Sequence, residues 1–383
     1  CCYRVQESVM KIGIVREIKD REDRVAMTPQ GVRELVNHGH QVLVEWDAGK
    51  GSYFSNSEYT EAGGRLTGPE QAWDCNLVVK VKEPLPSEYQ FLKQQMIFTF
   101  FHLAGAELRL TETLLAKGTT AIAYETLEDE AGTLPLLAPM SAIAGNMASL
   151  VGAYYLQTCH GGKGVQPGIV NDQRYGQVLV IGDGIVGQHA ARIAAGMGTN
   201  VRLAGLNEQM ASGFGEGIEY FLSTPQSIAR EIKQADLVIG AVLLHGDKAP
   251  HVVSEEMVKS MQPGSVIVDV SIDQGGSVES SRPTTHSDPV FEKFGVIHYC
   301  VTNMPGAYPR TATMALTRAT LEYVLGIADR GLEFLCGRNE TAKAVNTLGG
   351  YITCHPVAEA LGLESKFKPV FECLVRDRTS IKV

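Results

Sequence analysis

Gly182-Asp-Gly184-Ile-Val-Gly187 is the run in this chain whose residue types and spacing most directly specify chemistry. Three glycines in that pattern arise by chance about 0.4 times in a chain with 40 glycines among 383 residues, so the pattern alone decides little. Its context decides more. The run follows the apolar segment Val178-Leu-Val-Ile181 and opens a stretch of helical spacing. In that setting Gly182 permits a tight turn, Gly184 lets backbone approach a pyrophosphate, and Gly187 lets the helix lie close on the strand. The free amides of the helix start, at Ile185 and Val186, then face the phosphates of a dinucleotide. The bare alternative is a glycine-rich turn that holds nothing.

One part of the dinucleotide signature is missing. An acidic residue is expected at the end of the second strand, where it accepts bonds from the adenosine ribose. That position reads Leu203-Ala-Gly205-Leu-Asn207, with Gly205 in the carboxylate's place. Its loss leaves NADP open beside NAD, although no arginine follows to pair with a 2'-phosphate. The plain alternatives are that Asn207 or Glu208 takes over the ribose, or that affinity is simply lower.

Other chemistry-bearing residues stand at strand ends. Arg24 offers a planar fork of donors that matches a carboxylate, yet its run Asp20-Arg-Glu-Asp-Arg24 reads equally as a solvated loop. Lys80 and Lys82 alternate onto one face of their strand, so periodicity does not choose between them. Pro84 ends that strand and puts Lys82 at the mouth of the sheet. His102 lies among aromatics, where a histidine is more often a core residue than a catalyst. Asp273 follows an apolar strand and taken alone is a turn aspartate.

The elements that must position these residues alternate strand and helix. Ile12–Val15, Val42–Val44, Leu77–Lys82, Met96–Phe100 and Thr120–Tyr124 read as strands, and Thr28 caps a helix with Pro29 in its first turn. A long small-residue helix is predicted over Met140–Cys159, followed by a glycine-rich polar connection. A second α/β unit then begins at Val178: helix Val186–Met197, strands Val201–Ala204, Leu237–Gly240, Ser265–Asp269 and Val296–Cys300. Helix returns at Ala315–Asp329 and in short pieces near Val357–Leu361. The alternation predicts an α/β fold.

Composition excludes several classes. A net charge of -9 argues against nucleic acid, which calls for a basic face. Hydrophobic residues make up 44% without an apolar run long enough to cross a bilayer, which places the chain among soluble proteins. Eight cysteines form no CxxC pair and no metal-ligand cluster, so no metal is expected and cytoplasm is the expected compartment. Met10 is the expected natural start, and residues 1 to 9 carry no expected function.

Seven segments, in this order, resemble the alanine dehydrogenase family, which shares its fold with the NAD-binding part of proton-translocating nicotinamide nucleotide transhydrogenase. They are Arg24-Val-Ala-Met-Thr-Pro, Val79-Lys-Val-Lys-Glu-Pro, Phe98-Thr-Phe-Phe-His-Leu-Ala, Ala138-Pro-Met-Ser, the glycine loop, Val268-Asp-Val-Ser-Ile-Asp-Gln-Gly-Gly and Asn303-Met-Pro-Gly. The resemblance spans Met10 to about Glu364. It implies two Rossmann-like domains with parallel sheets and an active site in the cleft between them. Residues 1–137 and 311–383 would form the substrate domain, and 138–310 the dinucleotide-binding domain.

The resemblance also assigns roles. Arg24 would hold the substrate carboxylate, Lys82 would polarise the keto oxygen and share that carboxylate, and His102 would be the acid/base. Asp273 would lie beside the nicotinamide, and Ser141, Asn303 and Met304 would contact the cofactor. Asp273 together with His102 favours the dehydrogenase over the transhydrogenase branch, which usually carries Glu-Gln-Gly-Gly and lacks the histidine. The implied activity is reversible NAD-dependent oxidative deamination of L-alanine to pyruvate and ammonium, in a homo-hexamer or dimer. A related amino-acid or opine-type dehydrogenase and a weakly catalytic nucleotide sensor are the alternatives. Gly205 and Asn146, where the family usually has an arginine, depart from the pattern; Asn146 is expected to concern the domain interface. The tail after Glu364 has no assignment.

Overall fold

A computed structural model describes residues 9–207, 209, 213–242 and 249–374. The chain divides into two compact units, one formed by Cys1–Pro139 with Tyr308–Val383 and the other by Met140–Ala307.

The first unit is built on β1 (Lys11–Ile14), β2 (Gln41–Glu45), β3 (Arg65–Thr67), β4 (Leu77–Lys82), β5 (Met96–Phe100) and β6 (Thr120–Ala123). All six run parallel, in the order β6-β5-β4-β1-β2-β3, and a late hairpin of Val345–Leu348 and Tyr351–Ile352 extends the β6 edge antiparallel. Strand order reverses around β1, and this reversal opens a crevice at the carboxyl ends of β1 and β4. Both sheet faces are covered, so β4 and β5 are buried on both sides rather than alternately, with Lys80 and Thr99 as buried polar positions within them.

Thr28 caps helix α1 (Pro29–Asn37) as the sequence predicts, its hydroxyl accepting from the Gly31 amide. The segment between β1 and α1 is tied down from far along the chain. Helix α4 (Pro309–Arg330, numbered after two helices of the second unit) supplies Thr313 and Thr317, whose hydroxyls accept from the amides of Val25 and Thr28 at 3.1 and 3.0 Å. The loop that carries Arg24 is therefore held by hydrogen bonds to residues almost 290 positions away.

The second unit contains β7 (Gln177–Ile181), β8 (Asn200–Gly205), β9 (Ile218–Leu222), β10 (Leu237–Gly240), β11 (Val266–Asp269), β12 (Val290–Lys293) and β13 (Val296–Tyr299). They lie in the order β9-β8-β7-β10-β11-β13-β12, parallel except for β12. Alternate residues of β7 enter opposite cores. Val178 and Val180 pack with Ala144, Met147 and Ala148 of helix α2 (Ala138–Tyr155) and with Ala190, Ala191 and Ala194 of helix α3 (Ile185–Gly196). Leu179 and Ile181 pack with Ile228, Ile232 and Val258 on the other face. Strand order reverses between β8 and β10, with β7 at the switch point, so the loop after β7 lies where doubly wound sheets take ligands.

The predicted strands form with boundaries shifted by at most two residues. Helix α2 stops at Tyr155 rather than Cys159, because Thr158–His160 closes as a single 3-10 turn. The polar connection also contains a small hairpin, Gly168–Val170 with Gln173–Tyr175, that was not expected. No helix among the described residues is long and apolar enough to cross a membrane. The residues 1–8 and 375–383 lie outside the described part.

Candidate active site

In the first unit the candidate residues follow the carboxyl ends of four strands that are neighbours in the sheet. Arg24 follows β1, Lys82 ends β4, His102 follows β5, and Glu125, which sequence reasoning missed, follows β6. The sheet thus converts positions spread over about a hundred residues into one edge.

Arg24 corrects the solvated-loop reading. It is 2% exposed, and its Nε donates to Glu22 Oε1 at 2.6 Å while Nη2 donates to Glu22 Oε2. Glu22 thereby fixes the plane of the guanidinium by occupying one edge of the fork.

The ambiguity between Lys80 and Lys82 is resolved by their surroundings. The register of β4 against β5 shifts between Val79 and Lys82. Lys80 is fully buried, donates to Glu17 Oε2 at 3.1 Å and Glu88 Oε1 at 3.0 Å, and lies 5.3 Å from the Trp73 ring centroid. Burial opposes its charge, but the two carboxylates outweigh burial and raise its pKa above the ordinary lysine value. Lys80 is structural. Lys82 is half-buried at the strand end, where Glu17 Oε1 accepts from the Val81 amide at 2.6 Å and holds the irregular backbone. Lys80→Met should cost about 3–5 kcal/mol, because it strands two buried carboxylates. Urea unfolding would show this; a loss under about 0.5 kcal/mol, the range of an ordinary surface change, would refute it.

His102 is not a core histidine. It stands exposed two residues beyond β5 with φ of 49°, a left-handed conformation uncommon outside glycine, and its ring stacks on Phe100 at 5.7 Å. Glu125 holds this backbone, accepting from the His102 amide at 2.6 Å and the Phe101 amide at 3.2 Å. Surrounding protein first, and then the charges of Lys82, Lys19 and Arg24, push the imidazole down to about 3. Water reaches the residue, so the cations are the firmer of the two causes, and both keep the ring neutral at pH 7. Burial pushes the Glu125 carboxyl up to about 7, against its amide bonds and Lys82, which act to lower it. A neutral imidazole beside lysine and arginine can accept a proton while the cations hold an anion.

The second unit carries the dinucleotide candidates. Gly182 has φ of 111°, and a Cβ there would fall 2.3 Å from the Ala241 carbonyl oxygen. A Cβ on Gly187 would meet the Gly182 oxygen at 1.7 Å, so α3 sits as close to β7 as only glycine allows. Around Gly184, the N-cap of α3, a Cβ would find open space, leaving room at the amides of Ile185 and Val186. These are the conditions a pyrophosphate needs, and the loop fits a dinucleotide.

Asp273 is exposed just past β11, and its Oδ2 accepts from the Asn303 amide at 3.4 Å. Asn303 has φ of 60° and Met304 is buried beside it. The turn bearing Asp273 is held by Asp269, a buried carboxylate missed at the sequence level. It accepts from Ser271, Ser277 and Val278 amides and from the Ser277 hydroxyl. Ser141 lies half-buried in the first turn of α2. Asn146, expected to concern a domain interface, bonds through Oδ1 to His189 of α3 within its own unit.

At the end of β8, Asn207 is exposed; its amide donates to the Tyr220 hydroxyl and its Oδ1 accepts from the Gln209 amide. Glu208 lies outside the described residues. Arg202 is engaged by Glu231 at 2.7 Å and Glu219 at 3.1 Å, which removes it as a phosphate partner. Among the described residues no group of three or more His, Cys, Asp or Glu side chains is placed to hold a metal.

Two family models match, alanine dehydrogenase/PNT N-terminal domain over residues 13–144 and alanine dehydrogenase/PNT C-terminal domain over residues 148–355. The alanine dehydrogenase of Bacillus subtilis strain 168 is 49% identical over 363 residues, covering 93% of this chain and 96% of that protein. A solved L-alanine dehydrogenase superposes with a TM-score of 0.89 at 44% identity, over 92% of this chain and 99% of that one. The fold alone is shared with a transhydrogenase from Sinorhizobium meliloti, at a TM-score of 0.79 and 22% identity over 89% of this chain and 99% of that one. With both models matched along most of its length, and a relative at nearly half identity throughout, the chain belongs to the alanine dehydrogenase/PNT family.

Proposed function

We propose that this family member catalyses the reversible NAD-dependent oxidative deamination of L-alanine to pyruvate and ammonium. The observation that carries the reading is the placement of Arg24, Lys82 and His102 at the carboxyl ends of three neighbouring strands of one sheet. In this reading residues 1–137 and 311–383 serve the amino acid and 138–310 serve the dinucleotide.

Arg24 binds the alanine carboxylate, with Glu22 keeping its fork oriented. Lys82 shares that carboxylate and stabilises negative charge as it develops on the oxygen at Cα. Gly182, Gly184, Ile185, Val186 and Gly187 would hold NAD, with Ser141, Asn207, Asn303 and Met304 contributing further contacts, and the cofactor would supply the acceptor for the hydride of Cα. Alanine, its ammonium having released one proton to solvent, becomes an iminium as the hydride leaves, and water adds to its carbon while His102 takes a proton from that water. His102 returns that proton to the carbinolamine nitrogen, which leaves as ammonia while the C–O bond closes to pyruvate, and the proton shed by the hydroxyl converts the ammonia to ammonium. Asp273 balances the cationic centre formed in between. Summed, alanine, NAD and water give pyruvate, ammonium, NADH and a proton.

Purified protein should oxidise NADH when given pyruvate and ammonium together, and not when ammonium is omitted or replaced by a primary amino acid. Failure with NADH and NADPH alike, across a series of 2-oxo acids and amines, would sink the reading. A cytoplasmic homo-hexamer is proposed from the family resemblance; light scattering should then give about six chain masses, and a monomer would contradict it.

A further inference from the structure

Gly205 is the position from which a ribose-binding carboxylate is missing, but the space beyond its Cα is filled. A Cβ built on Gly205 would lie 2.2 Å from Asp183 Oδ2 and 2.3 Å from the Tyr220 hydroxyl. Asp183 is the second residue of the glycine loop, and its carboxylate reaches across to the end of β8. Tyr220, from β9, donates to Asp183 Oδ2 at 2.9 Å and accepts from the Asn207 amide at 3.0 Å. The two bonds fix the direction of the hydroxyl and pin the carboxylate. A carboxylate offers about four acceptor sites, so capacity remains on the same group for a second donor.

We propose that Asp183 supplies the acid that Gly205 lacks. It accepts from the adenosine ribose hydroxyls and repels a 2'-phosphate, making the chain selective for NAD over NADP. Glycine at 205 is required because a side chain would displace the carboxylate, and Asp at 183 is useful because glycine stands at 205. Arg202, already paired with two carboxylates, gives a 2'-phosphate no counter-charge. This inference rests on the dinucleotide reading above and names the residue that sets its specificity.

The test is direct binding, by calorimetric titration with NADH and NADPH and without turnover. Wild-type protein should bind NADH at least about tenfold more tightly, the ratio that roughly 1.4 kcal/mol of discrimination gives. Asp183→Asn keeps the shape and removes the charge, and should bring the two affinities within about threefold. The exchange variant Asp183→Gly with Gly205→Asp, carrying Tyr220→Phe to remove the hydroxyl that a side chain at 205 would also meet, returns the acid to the strand end and should restore the preference. A merely structural role would change both affinities together and leave their ratio intact. An unchanged ratio in folded Asp183→Asn overturns the assignment, as does wild-type preference for NADPH. Should Asp183→Asn fail to fold, the exchange variant decides, and lack of discrimination in its folded form counts against the proposal. Wild-type protein that binds neither dinucleotide overturns the cofactor reading itself, and this assignment with it.

Discussion

Lys82→Met is expected to lower kcat/KM for pyruvate by about a thousandfold while leaving the Kd for NADH within about twofold, the scale seen when one preorganised charge-stabilising donor is removed. The argument is one of position. Lys82 stands half-buried at the end of β4, and its neighbour Lys80 is committed to Glu17 and Glu88, so Lys80 cannot move across to replace it. A second, independent readout is available on His102. Lys82 is the largest of the cationic influences that depress the imidazole to about 3, so removing it should move the titration of that ring upward by NMR. The ring should stay below 6.5, because the surrounding protein and the charges of Lys19 and Arg24 remain. Full activity together with an unmoved His102 would remove Lys82 from the site.

How much of this was legible from residues alone depended on whether the relevant pairing was local. Strands such as Leu77–Lys82 and Met96–Phe100 were readable because both faces are buried and the residues are mostly β-branched or aromatic. Ile218–Leu222 was not, since it is an edge strand of mixed exposure with no clean period, and it carries Tyr220. The charged run that ends at Arg24 looks like a solvated loop; hydroxyls distant in sequence, those of Ser52, Thr313 and Thr317 among them, turn that loop inward. The irregular register of β4 is invisible to alternation and separates two lysines that periodicity leaves equivalent.

The same reasoning explains Gly205 and Glu125. An acid expected at one position was sought in the residues next to it, Asn207 and Glu208, whereas the fold brings Asp183 across from 22 positions away. The usable signal was an acidic residue inside a glycine loop, coupled with a glycine where the acid belongs. Glu125 follows a strand that neighbours the His102 strand, and the strand order that makes them neighbours is a property of the whole sheet. A carboxylate one residue past an apolar strand end was the available hint.

His102→Asn should reduce turnover by about a hundred- to ten-thousandfold, the usual contribution of a positioned acid/base, with dinucleotide binding retained. The accompanying pH dependence follows from linkage. The folded imidazole sits near 3 and an unfolded histidine near 6.5, so between those values the unfolded chain binds a proton that the folded chain refuses. Wild-type stability from this group is therefore full above pH 6.5 and declines as pH falls toward about 3. An asparagine in its place does not titrate and has no such loss, so the variant should gain on the wild type in urea unfolding as the pH is lowered from about 7.5 to about 5. Because water reaches the ring, the gain should fall short of what the full displacement implies. Substrate adds a further sign. A bound carboxylate beside Arg24 and Lys82 cancels part of the positive field, so the imidazole rises in the complex, and the acid limb of kcat should lie at higher pH than that of kcat/KM. Coincident limbs, with equal pH slopes of stability in both proteins, would mean that His102 neither feels the cations nor meets the substrate.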